Sequence, residues 1–526
     1  MIGAVGIAAA LAATMVAVTT PDGSPATDPA LSSAHGIIPA PVAYTALPGE
    51  TFELKAGSRI VVEAGDPALI AVAERFGEWL RRSTGFELPV GNQSGGSSSD
   101  IVVTVAPSDA PSAESYTLRA DSAGVRIAAA APVGLYRALT TLRQMLPVAA
   151  EAGTVSPGPW TVTGAEIDDR PRFEYRGTML DVARHFFGVD DVLRHIDLIS
   201  LYKVNVLHLH LTDDQGWRLT VSDWPRLTEV GGESDIEGRD GGYYTAADYA
   251  RIVDYAAEHF IEVVPEIDGP GHASAALIAY PQLSCDGVAP PPYHHGGISE
   301  VSLCAGSDST YGFLGDVFDA LAVEPGRYLH IGGDEAAGTP HDDYLQFVPR
   351  AAALVVERGR KPVMWHEAAQ AALPPGSVVQ YWGVGQDEAT ELARQAVAQG
   401  AKLILSPGNH AYLDMKYAED SPFGLEWAGH VSVSASYAWE PATLVDGVGE
   451  ASILGVESAL WSETTADRAA VEYMVVPRLA GIAEISWSPP VALDWEGYRQ
   501  RLAAHGPRWD VLGINYFRSP EVPWPA

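Results

Sequence analysis

Leu329-His330-Ile331-Gly332-Gly333-Asp334-Glu335 is the stretch on which the reading of this 526-residue chain turns. Tyr328 and His330 alternate with Leu329 and Ile331, the period of a strand. Two glycines stop the strand, and two adjacent carboxylates follow in a loop that leads to a helix. Neighbouring carboxylates repel and are costly to bury, so a chain places them together for proton chemistry, metal binding or capping. The plainer reading is an N-cap aspartate with the glutamate in the first helical turn. The surrounding chain weighs between them.

Working outward, short apolar strands alternate with helical patterns from about residue 172 onward. Eight strands are expected, at 175–180, 204–211, 261–267, 328–331, 362–365, 378–381, 402–405 and 453–459. Helices are expected at 190–201, 245–260, 342–357, 387–399 and 469–486. Eight βα units predict an α/β fold, a (β/α)8 TIM barrel. A doubly wound open sheet is the alternative, weakened because no GxGxxG or P-loop is present. Before the barrel, strands at 52–55, 59–63, 101–105, 115–119 and 124–128 and amphipathic helices at 66–83 and 132–146 predict a small α+β domain. The expected organisation is an apolar segment with a spacer (1–35), the α+β domain (36–168), and a barrel with a C-terminal helical tail (169–526).

Acidic residues outnumber basic ones 67 to 33, a net charge of −34. That field repels nucleic acid and anionic membranes, favours a neutral or cationic substrate, and keeps a chain soluble. Residues 1–18 are apolar and uncharged, and the first basic residue is Lys55. The segment reads as a secretory signal core or an uncleaved anchor, so the expected location is extracellular. The two cysteines, Cys285 and Cys304, lie in one Pro/Gly/His-rich region. In a secreted chain they are expected to form a disulfide, with two buried thiols as the alternative.

Polar residues gather just past the strand ends, where barrel enzymes hold their sites. In order these are Asp181 and Arg184-His185; Asp213-Asp214-Gln215; Glu266, Asp268 and His272; Asp334-Glu335; Trp365-His366-Glu367; Tyr381-Trp382; His410, Tyr412 and Asp414; Trp461 and Glu463. Tryptophan offers a platform to a sugar ring, and carboxylates and arginine serve its hydroxyls. A retaining glycosidase commonly uses two carboxyls about 5–5.5 Å apart on opposite sides of the bond. Consecutive residues in extended chain point to opposite sides, which suits that division poorly. Glu335 can instead protonate the glycosidic oxygen while Asp334 orients a 2-acetamido group that attacks as the nucleophile, the substrate-assisted route.

At this point the chain resembles the β-N-acetylhexosaminidases of glycoside hydrolase family 20. The matching runs are RGTMLDVARHF (176–186), LHLHLTDDQGWRL (207–219), PEIDGPGH (265–272), HIGGDE (330–335), VMWHE (363–367), AYLD (411–414) and ALWSE (459–463). GLYRALTTLRQML (134–146) is similar to the last helix of the preceding domain. The resemblance implies exo-acting, retaining release of terminal β-linked N-acetylglucosamine or N-acetylgalactosamine, with no cofactor and an N-acetylhexosamine-containing oligosaccharide as partner. Chitin fragments, glycoprotein glycans and peptidoglycan fragments all remain open as substrates. It implies Glu335 as general acid/base, protonated at the start by apolar walls that raise its pKa. Asp334 orients the acetamido N–H, and Tyr412 binds the acetamido carbonyl. Trp365, Trp382 and Trp461 form the acetamido pocket and sugar floor. Arg184, Asp414 and Glu463 hold hydroxyls, Asp213 and His272 form a relay behind Glu335, and Trp427 meets the next sugar. A metal hydrolase is the chemical alternative, through His208-x-His210 with Asp213, Asp214, His272 and Asp334. Structural histidines facing the barrel interior are the preferred reading of that pair, and no metal is expected. A catalytically silent sugar-binding barrel would show a substituted Asp334 or Glu335, and both are present.

Overall fold

The computed structural model describes residues 35–63, 65–92, 97–106, 109–385 and 387–525. The apolar segment read at 1–18, its spacer up to residue 34, and the centre of the Gly/Ser-rich loop at 92–100 lie outside the described residues. Among those described, no helix is long and apolar enough to cross a membrane.

Seven strands form the first sheet: β1 (Ala43–Leu54), β2 (Ile60–Val62), β3 (Val90–Gly91), β4 (Ile101–Val105), β5 (Tyr116–Asp121), β6 (Gly124–Ala129) and β7 (Trp160–Asp169), in the order β1-β7-β5-β6-β4-β2-β3. Two helices, α1 (Pro67–Thr84) and α2 (Pro132–Met145), cover it. Asp66 caps α1 by accepting the Ala68 N–H at 2.8 Å, Pro67 needs no partner in the first turn, and Gly85 ends the helix at φ +67°. The stripe expected from the sequence, Leu69, Val72, Ala73, Phe76 and Leu80, is the buried face. The sheet is larger than the sequence reading. That reading began β1 nine residues late and passed over β7, although Trp160–Asp169 alternates buried and open positions over most of its length.

The barrel strands are β8 (Tyr175–Asp181), β9 (Val206–His210), β10 (Glu262–Glu266), β11 (Tyr328–His330), β12 (Lys361–Trp365), β13 (Val378–Tyr381), β14 (Lys402–Leu405) and β15 (Ile453–Leu460). Each pairs in parallel with the next, and β15 pairs with β8 to close the ring. All eight expected strands are present, and the (β/α)8 expectation holds. Around them run α3 (Val189–Ser200), α4 (Ala246–Glu258), α5 (Asp308–Ala322), α6 (His341–Glu357) and α7 (Asp387–Ala398). Thr245 and Asp248 form a reciprocal capping box at the start of α4. Helix α5 was not read from the sequence. The single helix expected at 469–486 is two, α8 (Arg468–Val475) and α9 (Arg478–Trp487), because Pro477 lacks the N–H that would continue the ladder. The expected tail helix is α10 (Trp495–Leu512), joined to α9 by the buried Arg501–Glu484 pair at 2.6 Å.

Inward-facing strand positions recur every second residue. At the bottom of the barrel they are apolar and plug it: Tyr175, Val206, Val264, Tyr328, Val363, Val378 and Ile404 pack as one cluster. Two residues further along several strands, the same rows carry His208, Glu266, His330, Trp365 and Gln380, all buried. The two domains meet at Asp169. Its carboxylate accepts from Lys203 Nζ at 2.7 Å, Tyr116 Oη at 2.6 Å and Trp487 Nε1 at 2.9 Å.

Candidate active site

After β11 the backbone turns through Gly332 (φ +65°) and Gly333 (φ +102°). A side chain at Gly332 would put its Cβ 1.6 Å from Asp268 Oδ1, so only glycine fits. That oxygen accepts the Gly333 N–H at 3.1 Å, and Tyr344 Oη donates to the Gly333 carbonyl at 2.5 Å. The turn presents Asp334 and Glu335 at the carboxyl end of the strand. The capping alternative fails: α6 begins at His341, and Pro340 precedes it. Glu335 (φ +46°) and His272 (φ +50°) both hold left-handed backbone, a conformation that costs a non-glycine residue about 1–2 kcal/mol.

Asp334 is enclosed, with its side chain 11% exposed, whereas Glu335 is 35% exposed. The enclosure expected around Glu335 therefore falls mainly on Asp334. Burial, the neighbouring Glu335 and the more distant Glu266 push the Asp334 carboxyl up to about 6, against the pull of His272. His272 Nε2 stands 3.6 Å from both Asp334 Oδ2 and Glu335 Oε2, and its Nδ1 is 3.2 Å from Asp213 Oδ1. Against the burial that disfavours its cation, Asp213 and Asp334 hold the His272 imidazolium well above the usual range. Asp213 is kept ionised by Arg184, whose Nη2 lies 2.8 Å away, and by His272.

A continuous aromatic wall faces these groups. Trp365 and Trp461 have ring centroids 5.9 Å apart, Trp461 and Tyr412 6.3 Å, Tyr412 and Trp427 5.5 Å, and Trp427 and Trp382 5.7 Å. Trp365 is fully buried, while Trp427 is 48% exposed and forms the rim. The Tyr412 loop is tied to β15 by the Leu413 N–H donating to the Ala459 carbonyl at 2.7 Å. Around the floor, Arg184 stacks on Trp461 at 4.8 Å. Both carboxylate oxygens of Asp414, one oxygen each of Glu463 and Asp334, and Arg184 Nη1 are buried with no protein hydrogen-bond partner. Buried polar atoms are nearly always satisfied, so this ring of polar atoms fits a polyhydroxylated ligand. Burial and the adjacent Glu463 push Asp414 well above the carboxylate range. The sequence-derived residues Arg184, Asp213, His272, Asp334, Glu335, Trp365, Trp382, Tyr412, Asp414, Trp427, Trp461 and Glu463 thus share one mouth of the barrel.

Several participants were given no role by the sequence reading, although Gln215 and Glu367 stood among its polar residues past the strand ends. Glu367 Oε2 accepts the Trp382 indole N–H at 3.2 Å, and burial with Asp334 nearby pushes its carboxyl well above the usual range. Gln215 accepts from Arg184 Nε at 3.2 Å and donates to the His295 carbonyl at 2.7 Å. That second bond anchors the Pro-rich loop bracketed by the Cys285–Cys304 disulfide, which forms as expected. Glu457 and Gln380 lie on the inner wall. The available signal was a polar residue inside an otherwise apolar strand. His208 and His210 point into the barrel, where His208 Nδ1 is 2.9 Å from Glu457 and His210 Nε2 is 2.7 Å from Asp213. The pair a metal reading would use is thus directed at carboxylates. Among the described residues four groups bring ligand atoms within 4.8 Å of one another, His208-Glu266-His330, His210-Glu266-Asp268, Asp213-Asp268-His272 and His272-Asp334-Glu335, a closeness that equally serves buried ion pairs and proton transfer.

The sequence profile of the Glycosyl hydrolase family 20 catalytic domain matches residues 173–344 and 339–490, and that of family 20 domain 2 matches 34–170. The chain is 41% identical over 491 residues to a beta-N-acetylhexosaminidase of Cellulomonas fimi, covering 93% of this chain and 97% of that one. It superposes on the GH20 beta-N-acetylhexosaminidase of Streptomyces coelicolor A3(2) with a TM-score of 0.90 at 45% identity, covering 93% and 99% of the two chains. A mutant Streptomyces plicatus beta-hexosaminidase in complex with product (GlcNAc) gives a TM-score of 0.90 at 45% identity, covering 93% and 98%. With both family domains matched in order and the barrel closed as in those structures, the chain belongs to glycosyl hydrolase family 20 and is a glycoside hydrolase of the β-N-acetylhexosaminidase type.

Proposed function

We propose that the protein removes terminal, non-reducing β-linked N-acetylglucosamine and N-acetylgalactosamine from oligosaccharides and glycoconjugates, with retention, using the 2-acetamido oxygen of the substrate as nucleophile. The observation that carries this is the unequal setting of the two adjacent carboxyls: Asp334 enclosed beside the aromatic wall, Glu335 open to the cleft. In the first step Glu335 gives its proton to the glycosidic oxygen. The C1–O bond breaks as the acetamido oxygen bonds to C1, forming a five-membered oxazolinium ring. Asp334 accepts the acetamido N–H and balances the cation, and Tyr412 Oη donates to the oxygen that attacks. In the second step Glu335 takes a proton from water as that water bonds to C1 and the ring reopens. His272, backed by Asp213, sits beside both carboxyls and steadies their change of charge. The indole wall excludes water from the oxazolinium and fits the acetamido methyl. Arg184, Asp414 and Glu463 bind the hydroxyls, and Trp427 at the rim stacks on the leaving sugar. A relative that holds GlcNAc as product supports the same sugar here. An extracellular setting agrees with the Cys285–Cys304 disulfide.

The test compares 4-nitrophenyl 2-acetamido-2-deoxy-β-D-glucoside with the plain β-D-glucoside. Cleavage of the first alone is expected. Equal cleavage of both would mean that the protein supplies its own nucleophile and would overturn the reading.

A further inference from the structure

One buried ion pair is left out of that chemistry. Glu266 closes β10 and His210 closes β9, and both project into the barrel beneath the reaction centre. Glu266 Oε1 accepts the Trp365 indole N–H at 2.9 Å and lies 2.9 Å from His330 Nδ1. Its Oε2 lies 2.5 Å from His210 Nδ1 and 3.0 Å from His208 Nε2. His210 extends the contact: Nε2 is 2.7 Å from Asp213 Oδ2, and the ring stands edge-on to Trp461 with centroids 4.9 Å apart. Asp213 leads through His272 to the two carboxyls. One pair therefore touches the relay, the pocket wall and the sugar floor, while lying wholly under them. A purely structural histidine on an inner strand row needs none of these three contacts.

We propose that His210, held by Glu266, is a positioning residue for the reaction, setting the Asp213–His272 relay and the Trp365–Trp461 pocket from below. The proposal rests on the roles given above to Asp213, His272 and Glu335. Asp181 stands opposite His210 on β8, with Arg184 in the loop beyond it. His208 and Asp213 belong to its own strand and loop. Glu266 and Asp268 face it from the third unit and Asp334 from the fourth, His272 lies across Asp213, and His330 and Glu457 stand beyond Glu266 and His208. Within this set the His210 imidazolium offsets one of the two anions it touches. Glu266 and Asp213 hold its charge against burial, and the histidines in turn keep Glu266 ionised. Replacing His210 by a neutral amide leaves an extra anion beneath the relay, which favours the protonated forms of His272, Asp334 and Glu335 together.

The experiment is kcat and KM against pH for the full chain, for His210→Gln and for Glu266→Gln/His210→Gln, on the β-1,4-linked disaccharide of N-acetylglucosamine. In His210→Gln both limbs of the profile move to higher pH by about one unit. Its kcat falls by about tenfold or more while KM changes little, as expected when groups lose their alignment. In the double variant one anion and one cation leave together, so both limbs return to the wild-type position. Limbs unmoved in a folded His210→Gln protein, checked by near-UV circular dichroism, would overturn the proposal. If His210→Gln does not fold, the double variant decides alone: a kcat about tenfold down at wild-type KM is expected, and a wild-type kcat refutes. Failure of the underlying mechanism is separable, because it would show in the unmodified protein as equal cleavage of substrates with and without the acetamido group.

Discussion

Replacing Asp334 by asparagine keeps the shape of the side chain and removes its charge, and the structure says what that charge is worth. The site raises the carboxyl from 3.8 to about 6, so holding the anion in the empty pocket costs about 3 kcal/mol at 1.36 kcal/mol per unit. That cost is returned when a cation forms beside it. Loss of a preorganised charge-stabilising group in a water-excluded site costs about 2.7–4 kcal/mol, or roughly 100- to 1,000-fold in kcat. Asp334→Asn is therefore expected to fall in that range on the 2-acetamido aryl glycoside. The wild-type profile should lose activity as pH falls through about 6, where Asp334 gains its proton, and the variant should lose that limb. Stability should move the other way. An acid whose folded pKa lies above its unfolded value binds more protons when folded, so ionisation destabilises the fold as pH rises from 3.8 through 6. Asp334→Asn should then melt higher than wild type above pH 6 and equally below 3.8, as read by thermal denaturation at both ends. A kcat loss under tenfold with the acid limb still in place, or a variant less stable at neutral pH, would refute the reasoning.

Three further outcomes follow from other parts of the molecule. Glu335→Gln should lower turnover about 100- to 10,000-fold on alkyl or sugar leaving groups. It should do far less to aryl glycosides whose leaving group needs no proton, and equal losses on both would remove the acid role. Lys203→Met should destabilise the protein by about 3–5 kcal/mol, since it strands a wholly buried Asp169 carboxylate without its ammonium partner. Denaturant unfolding would measure this, and a change under about 1 kcal/mol would mean that Tyr116, Trp487 and the Val42 and Arg170 N–H groups suffice to hold that charge. Cys285→Ser/Cys304→Ser opens a loop with a sequence separation of 19, worth about 3 kcal/mol at most by chain entropy. The melting temperature should drop while hydrolysis of small aryl glycosides persists, because the loop braces the site from outside, through the His295 carbonyl on Gln215 and the Ser299 N–H on Asp214 Oδ2 at 3.2 Å, and supplies none of the groups that act on the sugar.

The adjacent sequence determined a great deal. Period-2 strands alternating with helical stripes placed all eight barrel strands within two residues at either end, because strand and helix periods are local properties of the chain. Gly332-Gly333-Asp334-Glu335 marked the catalytic turn because paired glycines take positive φ without strain, a local preference, and the closeness of Asp268 to Gly332 adds a tertiary reason for glycine there. Tryptophans and carboxylates just past the strand ends located the pocket, since a barrel gathers those loops at one mouth. Pro477 was a legible break between α8 and α9 that the longer apolar stripe overrode, and the alternation in β7 was legible too.

Tertiary structure alone decided which of two neighbouring carboxyls is enclosed. Sequence assigned the apolar walls to Glu335, whereas the turn directs Asp334 into them, and one residue of twist separates the two outcomes. It alone decided the partners of the inward polar residues. His208, His210, Glu266, His330 and Glu457 each look like a misplaced polar residue in an apolar strand. Their meaning depends on barrel register, which sets His210 beside Glu266 across 56 residues of chain and Glu457 beside His208 across 249. A side chain's period is written in its neighbours along the chain. The charge it faces, and hence the proton it carries, is set by closure of the ring, which no local stretch encodes.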